Sequence, residues 1–240
     1  MDDLYLPAPA PPDRWDGDPQ ERPEVLDRRQ GPYGEAVLRR HGGRLEIIAN
    51  GTFLMDTADG RSERLLVDAA LAALPAGRAG ASVLIGGLGV GFSLARAVAE
   101  PRWERIAVVE REAAVVGWHR AGHFAPYVGD VLADPRVQLV QEDLTVHLRT
   151  TEDRFDALCL DIDNGPDWTV TENNGNLYNP SGLLDCRERL TAGGVLAVWS
   201  AQPSTAFEAA LRRAGFTGVR TLEVPVRRGV PDVVHIAVKA

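Results

Sequence analysis

Ser82-Val83-Leu84-Ile85-Gly86-Gly87-Leu88-Gly89-Val90-Gly91, with Glu110 standing 19 positions beyond Gly91, is the stretch on which the fold turns. A short apolar run bounded by glycines marks a buried strand. A turn as tight as Gly86–Gly91 needs residues without Cβ, so that the backbone can approach a ligand and aim its N–H groups at it. A carboxylate at about that distance, ending the next strand, accepts hydrogen bonds from the ribose hydroxyls of a nucleoside. The alternative is a ligand-free strand-to-helix turn, with Glu110 a surface residue beside Arg111 and Glu112.

Downstream, strands and helices alternate. A helix runs through Ala99, followed by a strand at Arg105–Val109, a helix at Ala113–His123 and strands at Val137–Val140 and Phe155–Leu160. Then come a helix at Pro180–Leu190, a strand at Gly194–Trp199, a helix at Thr205–Ala214, and strands at Val219–Val226 and Val233–Val238. Continuous apolar strands covered by helices on both faces imply a parallel sheet. The last two strands have no helix between them and imply an antiparallel pair at one edge. The expected fold is α/β, a Rossmann-like, mostly parallel seven-stranded sheet with an antiparallel edge pair.

Upstream, short strands are expected at Gly34–Arg40, Arg44–Ala49 and Thr52–Asp56. Asn50-Gly51 is a hairpin signal because both residues tolerate positive φ. A helix follows at Ser62–Leu74, its apolar residues at helical spacing and Pro75 beyond its end. The expected organisation is a proline-rich arm over 1–30, a short β-hairpin element over 31–60 and the Rossmann-like catalytic domain over 61–240. Pro7, Pro9, Pro11, Pro12, Pro19 and Pro23 crowd the arm, which is expected to be mobile or loosely docked. In the alternative, Tyr5, Leu6 and Trp15 pin it to a neighbouring copy.

Hydrophobic residues make up 45% of the 240 and charged residues 25%, as in a soluble globular protein. The net charge of −8 lacks the basic face that nucleic acids require, so no nucleic-acid partner is expected. No apolar run nears the roughly 20 residues of a membrane span. The first residues carry no signal-peptide pattern. No membrane partner and a cytoplasmic location are expected. Cys159 and Cys186 alone make neither a disulfide framework nor a metal cluster, and the five histidines share no ligand spacing, so no metal is expected.

In an open parallel sheet, ligands bind beyond the carboxyl ends of the strands. After Val137–Val140 come Glu142-Asp143-Leu144. A carboxylate here accepts from an adenine amino group while Leu144 lies against the ring; as an alternative, Asp143 is a helix N-cap. After Phe155–Leu160 comes the densest polar cluster of the chain, Asp161-Ile162-Asp163-Asn164-Gly165-Pro166-Asp167-Trp168. Carboxylates there can hold an amine nucleophile and accept its proton, and Trp168 and Tyr178 can wall the pocket with faces that attract a cation. An acidic loop that merely caps elements is the alternative. Trp199-Ser200-Ala201-Gln202, after the next strand, can line the same pocket.

Together these strand ends resemble the spermidine synthase family of aminopropyltransferases. Val83-Leu84-Ile85-Gly86-Gly87 is similar to the start of that family's glycine loop, and Val109-Glu110 to its ribose-binding strand end. Asp134-Pro135-Arg136-Val137 with Glu142-Asp143 is similar to its adenine side, and Phe155-Asp156 leading to Asp161 to the strand that carries its catalytic aspartate. Leu177-Tyr178 and Leu190-Thr191-Ala192-Gly193-Gly194-Val195-Leu196 match the next helix and strand. The departures are specific. Leu88-Gly89-Val90 carries no acid where the family has an aspartate. Arg61-Ser62-Glu63 stands for the family's Tyr-His-Glu, and Leu54 for a glutamine. Asp161-Ile162-Asp163-Asn164-Gly165-Pro166 stands for Asp-Ser-Ser-Asp-Pro.

The resemblance implies a group transferase using S-adenosylmethionine or its decarboxylated form as co-substrate. Gly86, Gly87, Gly89, Gly91, Glu110, Arg111, Asp143, Leu144 and Asp161 would contact the donor. Asp161 would be the catalytic residue, and Asp163, Asn164, Trp168 and Tyr178 would face a small amine acceptor. The lost acids disfavour a polycationic acceptor. Gly87-x-Gly89-x-Gly91 also resembles the loop of S-adenosylmethionine methyltransferases, where it would accept the carboxylate of the intact donor. Both methyl and aminopropyl transfer stay open, and the resemblance implies a homodimer. Two further hypotheses are a degenerate member that binds nucleotide or a protein partner without catalysis, and an NAD(P)-dependent oxidoreductase.

Overall fold

The computed structural model describes residues 22–162, 165–166, 175–226 and 230–240. It opens with β1 (Glu24–Gly31), β2 (Gly34–His41), β3 (Arg44–Ala49) and β4 (Thr52–Asp56), an antiparallel sheet in that order. The main unit follows with α1 (Arg61–Ala73), β5 (Ala81–Gly86), α2 (Phe92–Val98), β6 (Trp103–Val109), α3 (Ala113–Arg120) and α4 (Ala125–Val128). Next come β7 (Val137–Val140), α5 (Leu144–Thr150), β8 (Phe155–Leu160), α6 (Gly175–Tyr178), α7 (Pro180–Glu188) and β9 (Leu190–Ser200). The chain ends with α8 (Thr205–Arg213), β10 (Phe216–Val224) and β11 (Asp232–Lys239). Among the described residues no helix is long and apolar enough to cross a membrane.

The main sheet has seven strands in the order β10-β11-β9-β8-β5-β6-β7. The pairs among β7, β6, β5, β8 and β9 are parallel, and β11 runs antiparallel to both β9 and β10. The expected α/β architecture is therefore the observed one. Side chains alternate between two cores, as a strand's period of two requires. Val83, Ile85 and Cys159 pack with α1, α2 and α3 on one face, and Leu84, Leu158 and Leu160 with α5, α7 and α8 on the other. The winding runs from β5 to β6 and β7, then resumes at β8 on the far side of β5. This reversal opens a crevice at the carboxyl ends of β5 and β8, where such folds bind ligands.

The N-terminal sheet is larger than a hairpin. Strand β1 lies in residues assigned from the sequence to the arm. It is mostly exposed and carries no clean apolar alternation, so its order comes from pairing with β2 and from a distant contact. A bulge between Val25 and Asp27 re-aims the chain, and Asp27 accepts from the indole N–H of the fully buried Trp118 at 2.7 Å. Arg29 pairs with Asp27 at 2.7 Å and packs where a Cβ on Gly117 would stand. The Trp118 and Arg29 contacts hold the Asp27 carboxyl below its ordinary range.

The Asn50-Gly51 turn has positive φ at both positions, 50° and 80°, as a two-residue hairpin needs. Asn50 also ties this turn to its neighbour. Its side-chain oxygen accepts from Glu35 N at 2.9 Å and its amide donates to Tyr33 O at 3.0 Å. The two turns thus form one rigid overhang above the crevice.

Candidate active site

A cavity of about 600 Å³ lies between this overhang and the carboxyl ends of β5, β6, β7, β8 and β9. Its volume falls within the roughly 300–1,000 Å³ of small-molecule sites. Of the residues expected at the site, Gly87, Gly89, Glu110, Arg111, Asp143, Leu144 and Asp161 line it.

The loop after β5 has the geometry its glycines suggest. Gly87, Gly89 and Gly91 all have positive φ, at 92°, 49° and 97°. A Cβ on Gly87 would stand 2.2 Å from the carbonyl oxygen of Asp161, so only glycine lets β5 and β8 meet there. Gly86 and Gly91 act behind the wall. A Cβ on Gly86 would strike Leu144, and one on Gly91, the N-cap of α2, would strike the His119 ring. His119 in turn bonds the carbonyl oxygen of Gly89 through Nε2 at 2.9 Å. Burial holds its pKa below the ordinary histidine value, so the ring is neutral and Nε2 carries the donated proton.

Glu110 is buried at the end of β6. Its two oxygens accept from Leu88 N at 2.9 Å and from Glu112 N at 2.7 Å. The carboxylate thus pins the glycine loop, and each oxygen keeps a second lone pair for a hydroxyl. Arg111 lies over the Tyr33 ring at 4.6 Å and 3.6 Å from Glu112. Burial raises the pKa of Glu112, opposed by Arg111 and reinforced by Glu110.

Asp143 holds both places open to it from the sequence, since it lines the cavity and caps α5. Its Oδ1 accepts from Thr145 N at 2.9 Å, from Val146 N at 3.3 Å and from the Thr145 hydroxyl. All three bonds fall on one oxygen.

Asp161 follows the last residue of β8, half-buried on the cavity wall. Ser93 Oγ, from α2, lies 3.4 Å from its Oδ2 and donates to Glu63 O at 3.2 Å. Glu63, in the first turn of α1, also lines the cavity. Burial pushes the Asp161 carboxyl up to about 8, with the charge of Glu63 next and that of Asp232 adding to it. Burial likewise raises Glu63, and Asp232 and Asp59 add to the effect. The two acids line one cavity, and the charge of Glu63 helps hold Asp161 protonated, so an arriving cation would favour the ionised form of Asp161.

Glu63 is absent from the set expected from sequence, although it stands at the acid of the Arg61-Ser62-Glu63 segment. Ile47, Leu54 and Met55 of the small sheet are also absent from that set and line the cavity, as does Trp199. Tyr178 is buried in the core on the α7 and α8 side of the sheet, edge-on to Phe207 at 5.6 Å, and is not on the cavity wall. Asp163, Asn164 and Trp168 lie outside the described residues.

No family model and no curated protein sequence matches the chain. Solved structures do. Spermidine synthase from Thermotoga maritima superposes with a TM-score of 0.70 at 16% identity, covering 90% of this chain and 73% of that one. The chain has the spermidine synthase fold. A spermidine synthase in complex with the transition-state analogue AdoDATO gives the same TM-score at 17% identity and the same coverage. TrmN from Thermus thermophilus follows at 0.52 and 20% identity, over 74% of this chain and 48% of that one. The spermidine synthase fold accounts for the four-stranded sheet as well as the seven-stranded one, since the match spans nine-tenths of the chain.

Proposed function

We propose that this protein is a transferase that uses an S-adenosyl sulfonium donor and passes its aminopropyl or methyl group to a small amine. The observation that carries the reading is the joining, in one cavity, of the glycine loop, Glu110 and Asp143 with the acid pair Glu63–Asp161. When bound, the sulfonium supplies a carbon made electrophilic by its positive sulfur. The chain's residues do the rest. Glu110 offers lone pairs to ribose hydroxyls, Asp143 and Leu144 border the base, and the loop lets the donor close to the backbone. Glu63 and Asp161 attract the ammonium and take one of its protons; the lone pair so freed forms the N–C bond as the C–S bond breaks, and the sulfur leaves as a neutral thioether.

Of the two donors, the decarboxylated one fits better. Three loop amides are already engaged: Gly87 N with Val109 O at 2.9 Å, Leu88 N with Glu110 at 2.9 Å, and Val90 N with Met55 Sδ at 3.4 Å. A donor carboxylate would find those amides taken and two acids nearby. Methyl transfer from the intact donor is the second reading, favoured by the acid-free Leu88-Gly89-Val90, and it requires Met55 to release Val90 N–H.

Calorimetric titration with both donors and with 5′-methylthioadenosine tests the proposal. The decarboxylated donor is expected to bind at least about tenfold more tightly than the intact one, ~1.4 kcal/mol. Tighter binding of the intact donor selects methyl transfer. If none of the three binds, the transferase reading falls.

A further inference from the structure

We infer that the acceptor is a primary amine with an apolar body, an alkyl- or arylalkylamine, rather than a diamine or polyamine. The inference rests on the transferase reading and specifies the chemistry of its second substrate.

Strand register places the groups. Leu160 pairs with Val198, so Trp199 follows beside Asp161, and Gly86 pairs with Leu160 on the other flank. Trp199 is half-buried against the α1-side core, the core that Met55 also packs against. Met55 is the cross-strand partner of Ile47, and its sulfur occupies the space a Cβ on Gly89 would need. Leu54 and Ile162 line the same cavity. The acid pair thus shares its cavity with five large apolar side chains: Ile47, Leu54, Met55, Ile162 and Trp199.

The other carboxylates on the described wall are engaged elsewhere. Glu110 takes two backbone amides, Asp143 caps α5, Glu142 meets His147 at 3.0 Å, Glu35 meets Arg28 and Glu112 meets Arg111. Glu63 and Asp161 can satisfy one ammonium. Among the described residues a second ammonium would lie against apolar side chains and forfeit its water for little return, and one indole face offsets only a small part of that loss. Apolar carbon in the same place gains roughly fourfold in affinity per buried methylene.

The test uses the full chain saturated with 5′-methylthioadenosine and two probes of nearly equal size, n-pentylamine and 1,4-diaminobutane. They differ in whether the far end is a methyl or an ammonium. Calorimetry is expected to give at least about tenfold tighter binding of pentylamine, with affinity rising about fourfold per methylene from propylamine to pentylamine. Equal or tighter binding of diaminobutane overturns the inference, as does failure of every amine to bind the nucleoside-loaded protein. If neither donor nor 5′-methylthioadenosine binds, the transferase reading has failed and this inference with it; if a donor binds but 5′-methylthioadenosine does not, the transferase reading stands and this inference alone is overturned. Leu54→Asp places a carboxylate on the wall at a side chain 41% exposed, so folding is preserved. It is expected to move the pentylamine-to-diaminobutane ratio at least about tenfold toward the diamine. An unchanged ratio removes Leu54 from the acceptor wall and overturns the assignment.

Discussion

Replacing Asp161 with Asn should stabilise the folded protein while abolishing transfer, and the stabilisation should grow with pH. The side chain keeps its shape and its contact with Ser93, so the change is one of charge. In the unfolded chain the carboxyl titrates near 3.8, and in the folded chain near 8. Below pH 3.8 both states are protonated and the acid costs nothing. Between 3.8 and about 8 the unfolded state ionises freely while the folded state resists, so each pH unit costs the wild type ~1.4 kcal/mol. That sets a ceiling of about 4 kcal/mol at pH 7. Asp161 is half-buried on a solvent-accessible cavity, so roughly half of that, ~2 kcal/mol, is the expected gain. For a chain of this size it is a rise of about 4–8 °C in Tm. Urea titrations of both proteins at pH 4.5, 7 and 8.5 measure it directly. Curves separated by the same amount at all three pH values would refute the buried-acid account, and so would a variant less stable than wild type at pH 8.5. A variant that gains stability yet turns over normally would leave the electrostatics intact and remove Asp161 from the chemistry.

Three further substitutions test the rest of the site. Gly87→Ala must place a Cβ against the Asp161 carbonyl at positive φ, and a loss of more than about 2 kcal/mol is expected; Gly43→Ala, which meets no atom within 4 Å, is the neutral control in the same thermal melts. Asp143→Ser keeps the helix cap where Asp143→Ala loses ~1 kcal/mol, but both are expected to weaken donor binding at least about fivefold; equal affinity in wild type and Ser variant would return Asp143 to capping alone. His119→Ala frees the Gly89 carbonyl and should raise the donor Kd about fivefold with little change in kcat at saturation, with Gln restoring much of the loss through its own side-chain N–H. Because burial lowers the ring's pKa below the ordinary histidine value, that effect should be flat from pH 7.5 to 8.5, and a wild-type Kd in His119→Ala would disprove the clamp.

What could be read from the chain beforehand follows from how local each constraint is. Buried parallel strands appear as unbroken apolar runs, so Ala81–Gly86, Trp103–Val109 and Phe155–Leu160 were all visible within a residue or two. Positive φ at a tight approach demands glycine, which made the loop after β5 legible, and residues ending those strands inherit their position from the sheet. Strand β1 was hidden because its order depends on Asp27 meeting Trp118, 91 positions away. Helix α5 has only seven residues, with two β-branched threonines and a valine among them, so its cap was a clearer sign than its body. The overhang of Ile47, Leu54 and Met55 depends on how one sheet docks on another, which no window of sequence contains.

Glu63 shows the same limit in chemical form. Position by position, Leu88-Gly89-Val90 lacks an acid and the pocket looks stripped of its cation site. In space, the first turn of α1 brings the Glu63 carboxylate to the same cavity, and Ser93 bridges the backbone carbonyl of Glu63 and the Asp161 side chain. An acid in the first turn of a helix ordinarily serves the helix dipole, so the one signal for Glu63 in the sequence was its place at the acid of the Arg61-Ser62-Glu63 segment. Its position beside Asp161 also alters the chemistry. A lone carboxylate beside open solvent stays ionised at neutral pH, whereas burial and a second acid on the same cavity wall hold Asp161 protonated until a cation arrives. The empty site is thereby kept from holding two uncompensated charges, and the arriving ammonium restores to Asp161 the ionised form that can accept a proton.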